Sequence, residues 1–410
     1  MRIRDRAALV GVAGLLSASV VAVSGPVVAQ EDVSPEWQAI LDEANGQTVN
    51  WFMWGGSDRI NSYVSDWVGA KAAELGVTIN RVPLTDTVDA VNTVLGEKQA
   101  GRDEDGSVDM IWINGENFKT GKQADLWFCG WTEALPNYQY VDADSAAILN
   151  DFGTPVDQCE SPWSHAQFAF TYDSARVEDP PATMAELLQW IEANPGQFTY
   201  PAPPDFTGSV FVRHVLYHVA GGYEDLLGEF DQAKFDEVAP ALWETLNGIE
   251  PFLWRNGETY PPTKQDLDSL YANGEVAMAM TYGPAEVGGF VADGIFPESS
   301  RQFVFEEGTI GNNNFVAVPY NSPNKAGAQV VANILLSPEA QHQKALPDVW
   351  GEFPVIDITT TGEWEEQFRS IPVPESVLPA DQLDVNSNPE LDAGWVTAIE
   401  QGWTENVLQQ

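Results

Sequence analysis

A unit that recurs three times between residues 49 and 123 fixes the class of fold. Each copy is a short apolar run, a break of glycine or small polar residues, and then helical spacing. Val49–Trp54 is followed by Gly55-Gly56-Ser57, and Ile60, Tyr63, Val64, Trp67 and Val68 then recur at intervals of three and four up to Leu75 and Gly76. Val77–Leu84 leads through Thr85-Asp86 to Val88, Val91, Val94 and Leu95, and Val108–Ile113 leads to Asn114-Gly115-Glu116-Asn117 and a short helix. Parallel neighbours need a crossover connection, so three consecutive strand–helix units predict an α/β fold with a parallel sheet covered on both faces.

The residues ahead of this unit are of another kind. Arg2, Arg4 and Arg6 precede an apolar run, Ala7–Val23, and Val27-Val28-Ala29 ends in a small residue, so 1–29 reads as a cleavable signal peptide. It holds no cysteine for a lipid anchor, and no later stretch reaches the roughly 18 apolar residues of a membrane span. The mature protein is expected in the periplasm. At about 380 residues it exceeds what one core covers, so two domains are expected. In an oxidising compartment Cys129 and Cys159 are read as one disulfide, with two separate buried thiols as the alternative.

Further along, His165–Tyr172, Val276–Tyr282 and Gly308–Val318 read as strands. Thr183–Ala193, Val210–Ala220, Phe235–Trp254, Pro323–Leu336 and a last segment near Ala393–Leu408 read as helices. No internal repeat or long linker interrupts them.

Charge restricts the partners. The chain carries 61 acidic against 19 basic residues, a formal net charge of −42, spread along its length and with only eight lysines. A global excess of this kind is read as adaptation to high salt, where screening blunts self-repulsion. Nucleic acid and anionic membrane surfaces are poor partners for such a chain, and a neutral or cationic small molecule is favoured.

No reaction chemistry is legible. The sequence has no G-x-S-x-G, H-E-x-x-H, Walker loop or G-x-G-x-x-G after a strand, so no catalytic residue and no cofactor is expected. His214 and His218 stand one helical turn apart, but the rest of a metal-ligand set is missing, and they read as helix histidines. The segment Asp103–Asp109 has Val108 and Asn114 where a calcium loop needs glycine and glutamate. A secreted two-lobed hydrolase or transferase is the rival reading, and it requires a nucleophile or metal set.

What recurs instead is a loop chemistry suited to holding a molecule. Trp54, Gly55, Gly56 and Ser57, then Asn114, Glu116 and Asn117, then Tyr282 and Pro284 around Gly283, each follow a buried run. Thr207, Gly208 and Ser209 open a helix, where backbone N–H groups suit an anion. Asn312-Asn313-Asn314 falls inside a late strand, and Trp163 is placed as a cleft residue. Aromatic faces with neutral donors and acceptors describe a binding cleft.

The order WGGS, VDMIWINGENF, ESPW before a strand, PPDFTGSVFVR and GTIGNNNFVAVPYNSPNKAGA resembles the YnjB-type periplasmic binding components of ABC transporters, over nearly all of the mature chain. The two cysteines and the extreme acidity depart from that pattern. The resemblance implies a type II periplasmic binding fold, with two discontinuous α/β lobes, each a mostly parallel sheet, closing on a ligand at a hinge. It places 31–170 plus 308–336 in lobe 1 and 171–307 plus 337–410 in lobe 2. It also implies a monomer that hands its ligand to the membrane subunits of an ABC permease. Relatives are described as thiamine carriers, while the wider group includes binders of polyamines, metals, sugars and oxyanions. For thiamine, Trp54, Trp163 and Tyr282 would stack on the cationic ring and Glu116 would oppose its charge.

Overall fold

A computed structural model describes residues 34–383 and 387–408, so the expected signal segment lies outside the described residues. Nine strands form two main sheets: β1 Thr48–Trp54, β2 Thr78–Leu84, β3 Met110–Ile113, β4 Glu160–Gln167, β5 Ala169–Asp173, β6 Met278–Thr281, β7 Ser300–Phe303, β8 Thr309–Ala317 and β9 Ser387–Asn388. The large sheet runs β9-β8-β3-β1-β2, with β4 on the other side of β8. β1 pairs in parallel with β2 and β3, as three successive strand–helix units demand.

Both faces of this sheet are covered. Val49, Trp51 and Met53 of β1 point into one apolar cluster, and Phe52 packs on a second cluster across the sheet, the alternation a strand imposes. The first cluster is closed by the helices Pro35–Ala44 and Lys325–Leu335, the second by Val88–Gln99 and Gly115–Gln123. Within one helical run, Asp58–Ser62 passes through a wider π-type segment, Tyr63–Val68, into Gly69–Glu74.

The predicted strand His165–Tyr172 is two strands. It breaks at Phe168, with β4 in the large sheet and β5 at the centre of a second, three-stranded sheet. The chain leaves the first core along β4 and returns along β8, so these two strands lie side by side and antiparallel. Ile310 of β8 belongs to the second core and Val316 to the first.

Two expectations need correcting. The second sheet, β6-β5-β7, is antiparallel throughout rather than mostly parallel. A buried apolar run carries no information on direction, and the long helical excursion between β5 and β6 can deliver the next strand either way. The tail from residue 337 does not lie wholly with the second core. Trp350, Ile356 and Phe368 pack in the first, whereas Leu391, Trp395, Ile399 and Trp403 pack in the second. Cys129 and Cys159 form a disulfide spanning 30 residues. Among the described residues, no helix is long and apolar enough to cross a membrane.

Candidate ligand site between the two cores

The C-terminal ends of β1 and β3 are neighbours in the first sheet, and Glu116 just beyond β3 lies within range of the charges of Arg213 and Glu390 from the second core. At the end of β1 the Trp54 indole folds back over Gly56, where a Cβ would meet the ring at 2.2 Å, so glycine there is a packing requirement. Gly55 is also confined, with 2.8 Å between an added Cβ and Pro83. Ser57 caps the following helix: its hydroxyl accepts the Ile60 N–H at 3.5 Å. The half-buried Trp54 ring meets Trp112 edge-on, with centroids 6.4 Å apart. The indole N–H of Trp112 and the amide of Asn114 both donate to Asn314 Oδ1, at 3.2 and 3.3 Å, which ties the end of β3 to β8. Gly115 adopts a positive φ of 63° and donates its N–H to Asp151 at 2.8 Å. Asn117 donates to the Glu116 carboxylate at 3.2 Å.

Across the crevice stands Arg213, fully enclosed. It pairs with Glu390 through Nε to Oε2 at 2.9 Å and Nη2 to Oε1 at 3.0 Å, and donates to the Ser209 hydroxyl at 2.9 Å. Phe152 and the exposed Phe206 flank its guanidinium at 5.8 and 5.9 Å. The Tyr282 hydroxyl donates to Glu390, and its ring lies 5.2 Å from Phe206. Two ion pairs join the cores beside the crevice, Lys119 to Asp392 at 2.6 Å and Arg59 to Asp293 at 2.7 Å.

The electrostatics of this space are one-sided. Glu390 is taken up by Arg213, but neither Glu116 nor Glu400 has an ion pair among the described residues. Burial raises the Glu116 carboxyl, with Asp86 and Glu390 pushing the same way and Arg213 opposing. Burial likewise raises Glu400 to about 7, against a hydrogen bond from the Ser209 hydroxyl and the charge of Arg213, while Glu116 and Asp86 add to the rise. Glu116 thus senses Glu390 and Asp86, and Glu400 senses Glu116 and Asp86, around a cation that is already neutralised, an arrangement that favours added positive charge.

The structure brings Trp54, Gly55, Gly56, Ser57, Asn114, Glu116 and Asn117 to one edge of the first sheet. The other predicted positions have internal employment. Trp163 is fully buried in a cage of Trp51, Trp112 and Trp350, at 5.4, 4.9 and 5.1 Å, and shows no face to a cleft. The Pro284 carbonyl accepts from Gln302 at 2.7 Å, and buried Tyr282 positions Glu390. The expected anion cradle at Thr207-Gly208-Ser209 is already filled from within. Asp205 is the cap, and its Oδ1 accepts the N–H groups of Thr207 and Gly208 at 3.0 and 3.1 Å. An anion would meet that carboxylate. Gly208 is required for another reason, since a Cβ there would lie 1.9 Å from the Pro201 carbonyl oxygen.

His214 is buried and engaged at both ring nitrogens, Nδ1 on the Val210 carbonyl and Nε2 accepting the Ile310 N–H, each at 2.9 Å. Burial lowers it to about 3, which keeps it neutral, and with both nitrogens engaged it has none left to join His218 on a metal. No group of three metal-ligating side chains occurs among the described residues. Sequence reasoning missed Arg213, Glu390 and Glu400. Asp205 was within reach, being a residue type favoured at a helix cap directly before the apolar spacing starts.

This architecture, two α/β cores joined by an out-and-back strand pair with a crevice between them, is that of a two-lobed type II periplasmic binding protein. Solved structures agree on the fold. The chain superposes on the spermidine/putrescine ABC transporter substrate-binding protein PotD of Streptococcus pneumoniae with a TM-score of 0.62 at 13% identity, covering 88% of this chain and 98% of that one. It superposes on a structure described as a periplasmic thiamin binding protein with a TM-score of 0.55 at 17% identity, covering 88% and 96%. In sequence it is 41% identical to Protein YnjB of Escherichia coli K12 over 369 residues, 90% of this chain and 93% of that protein. Residues 70–366 match the family described as bacterial extracellular solute-binding protein, and the chain belongs to that family.

Proposed function

We propose that this protein captures an organic cation of the thiamine type in the crevice and delivers it to the membrane permease of an ABC importer. The observation that carries this reading is the surplus of half-buried carboxylates, Glu116 and Glu400, around an Arg213 already paired with Glu390. Phe206 supplies a ring face beside Arg213, and Trp54 stands with Trp112 at the same sheet edge that carries Glu116, a combination suited to a flat cation. The Asp205 cap disfavours the oxyanion alternative, and the engagement of His214 disfavours the metal alternative. The two lobes are then 34–164 with 312–371, and 168–310 with 387–408, hinged at the crossing strands β4 and β8.

Thermal shift and titration calorimetry on the mature protein test this with thiamine, spermidine and inorganic phosphate. A ligand at a hundred times its Kd adds about 2.7 kcal/mol of stability, which is readily seen. Thiamine is expected to shift the transition. Trp54→Ala is expected to weaken it by roughly 0.5–2 kcal/mol, the range of a cation–ring contact. A shift by phosphate and by neither cation would refute the proposal.

A further inference from the structure

Outside the two main sheets the chain makes a small antiparallel hairpin, Asn150–Asp151 against Thr154–Pro155. Its turn residues, Phe152 and Gly153, have φ of 43° and 69°, the positive values that a two-residue turn of this kind demands. Asparagine, aspartate or glycine usually fills the first of these positions, because a left-handed backbone is costly for a bulky L-residue. A buried phenylalanine held there calls for a reason in its ring.

The hairpin is fastened to the first lobe. Asp151 accepts the Gly115 N–H at 2.8 Å, and Lys122 binds the Pro155 carbonyl and Asp157. Its tip, however, is buried in the second lobe. Phe152 forms an apolar cluster with Ala393 and Val396 of the helix Ala393–Trp403, distinct from both cores. Gly153 lies hard against the cap of that helix, since an added Cβ would come within 3.2 Å of Asp392 Cα. Toward the first lobe the Phe152 ring covers Gly115, whose added Cβ would lie 3.4 Å away. The Arg213 guanidinium stands 5.8 Å from the ring centroid.

The ring thus lies between the two carboxylates of the site. Glu116 directly follows Gly115. Ala393, Val396 and Glu400 succeed one another at intervals of three and four, so the face that seats Phe152 is the face that carries Glu400. An ion pair joins the same two helices beside the ring. Lys119, four residues after Gly115, binds both oxygens of Asp392 at 2.9 and 2.6 Å, and Asp392 in turn accepts the Gly394 N–H at 2.9 Å.

We propose that Phe152 is a positioning residue of the ligand site, a wedge that ties the Glu116 loop of the first lobe to the Glu400 helix of the second and so sets the spacing of the two carboxylates. The role given to those carboxylates rests on the crevice being a site for an organic cation. The tie itself needs no ligand.

Hydrogen–deuterium exchange of the ligand-free, full mature chain reads the tie. Phe152→Gly keeps the backbone conformation and removes the ring. It is expected to speed amide exchange roughly tenfold in both Gly115–Gln123 and Ala393–Trp403, with β1 unchanged. Phe152→Leu, a milder truncation, should give the same pattern at about threefold, which keeps the test open if the glycine variant folds poorly. Faster exchange confined to the hairpin would mean that the ring serves only its own turn, and would overturn the proposal. Titration calorimetry with thiamine then reads the consequence for binding. Affinity is expected to fall roughly tenfold in Phe152→Gly and about threefold in Phe152→Leu. Unchanged affinity in a variant whose two helices exchange faster would overturn the positioning role. Wild type that binds no thiamine would remove the cation reading and the part given to the carboxylates, while the exchange pattern still decides the tie.

Discussion

Arg213 and Glu390 show how a single residue pair sets the character of a site. Burial works against the guanidinium's charge, and Glu390 outweighs it. With both charges satisfied, neither is available to a ligand, and control passes to Glu116 and Glu400. Glu400 is raised to about 7, so its ionisation falls within an accessible range. A bound cation requires the ionised form. Cation affinity should therefore fall by up to tenfold per pH unit as pH drops below about 7, with a proton released on binding above the model-peptide range of carboxylates. In the ligand-free protein the sign is opposite. The raised group holds its proton more tightly when folded, so its contribution is full below about 4.5 and is lost as pH rises through about 7. Calorimetry in two buffers of different ionisation enthalpy checks the proton count, and a pH-independent Kd between 5.5 and 7.5 would contradict it. At this scale the sequence was legible only where residue type and local spacing decide the outcome, as at Ser57. Trp163 was not: its place in a tryptophan cage depends on Trp350, nearly two hundred positions away.

Among the elements, the start of the Phe206–Ala220 helix is the most heavily tied. One oxygen of Asp205 caps that helix, and the other accepts the Lys264 N–H at 3.0 Å, so a single carboxylate holds the first turns of two helices together. Asp205→Ala should cost about 1–2 kcal/mol in urea unfolding, with Asp205→Asn costing less because one amide oxygen still caps the first helix. Equal stability of all three proteins would show that the tie contributes nothing. The strand–helix units of the first sheet could be read from apolar runs and breaks because they are local. The division of His165–Tyr172 at Phe168 could not, since both halves are apolar and nothing in the pattern says which sheet each joins. β7 was missed because four residues, Ser300–Phe303, carry too little periodicity, and the split tail because short irregular segments are placed by partners remote in sequence.

For the molecule as a whole, a net charge of −42 has to be carried on a surface with few lysines. The salt bridges present include several on exposed side chains, Lys122 with Asp157 and Arg301 with Glu375 among them, which contribute little. Repulsion among the remaining carboxylates is therefore expected to dominate at low salt. The urea midpoint should rise between 0.05 and 1 M NaCl, as the Debye length contracts to about 3 Å. A midpoint that falls or stays level would remove the case for salt adaptation.

The interleaved path through the two cores has a consequence for when this protein becomes itself. The first core waits for Val316 and Phe368, and the second for Trp395 and Trp403, so neither half is complete until almost the whole chain has been made. Contacts so distant in sequence form slowly, because a long loop must close before any of them is rewarded. A growing chain of this topology cannot close its first core before Phe368, or its second before Trp403, has been made.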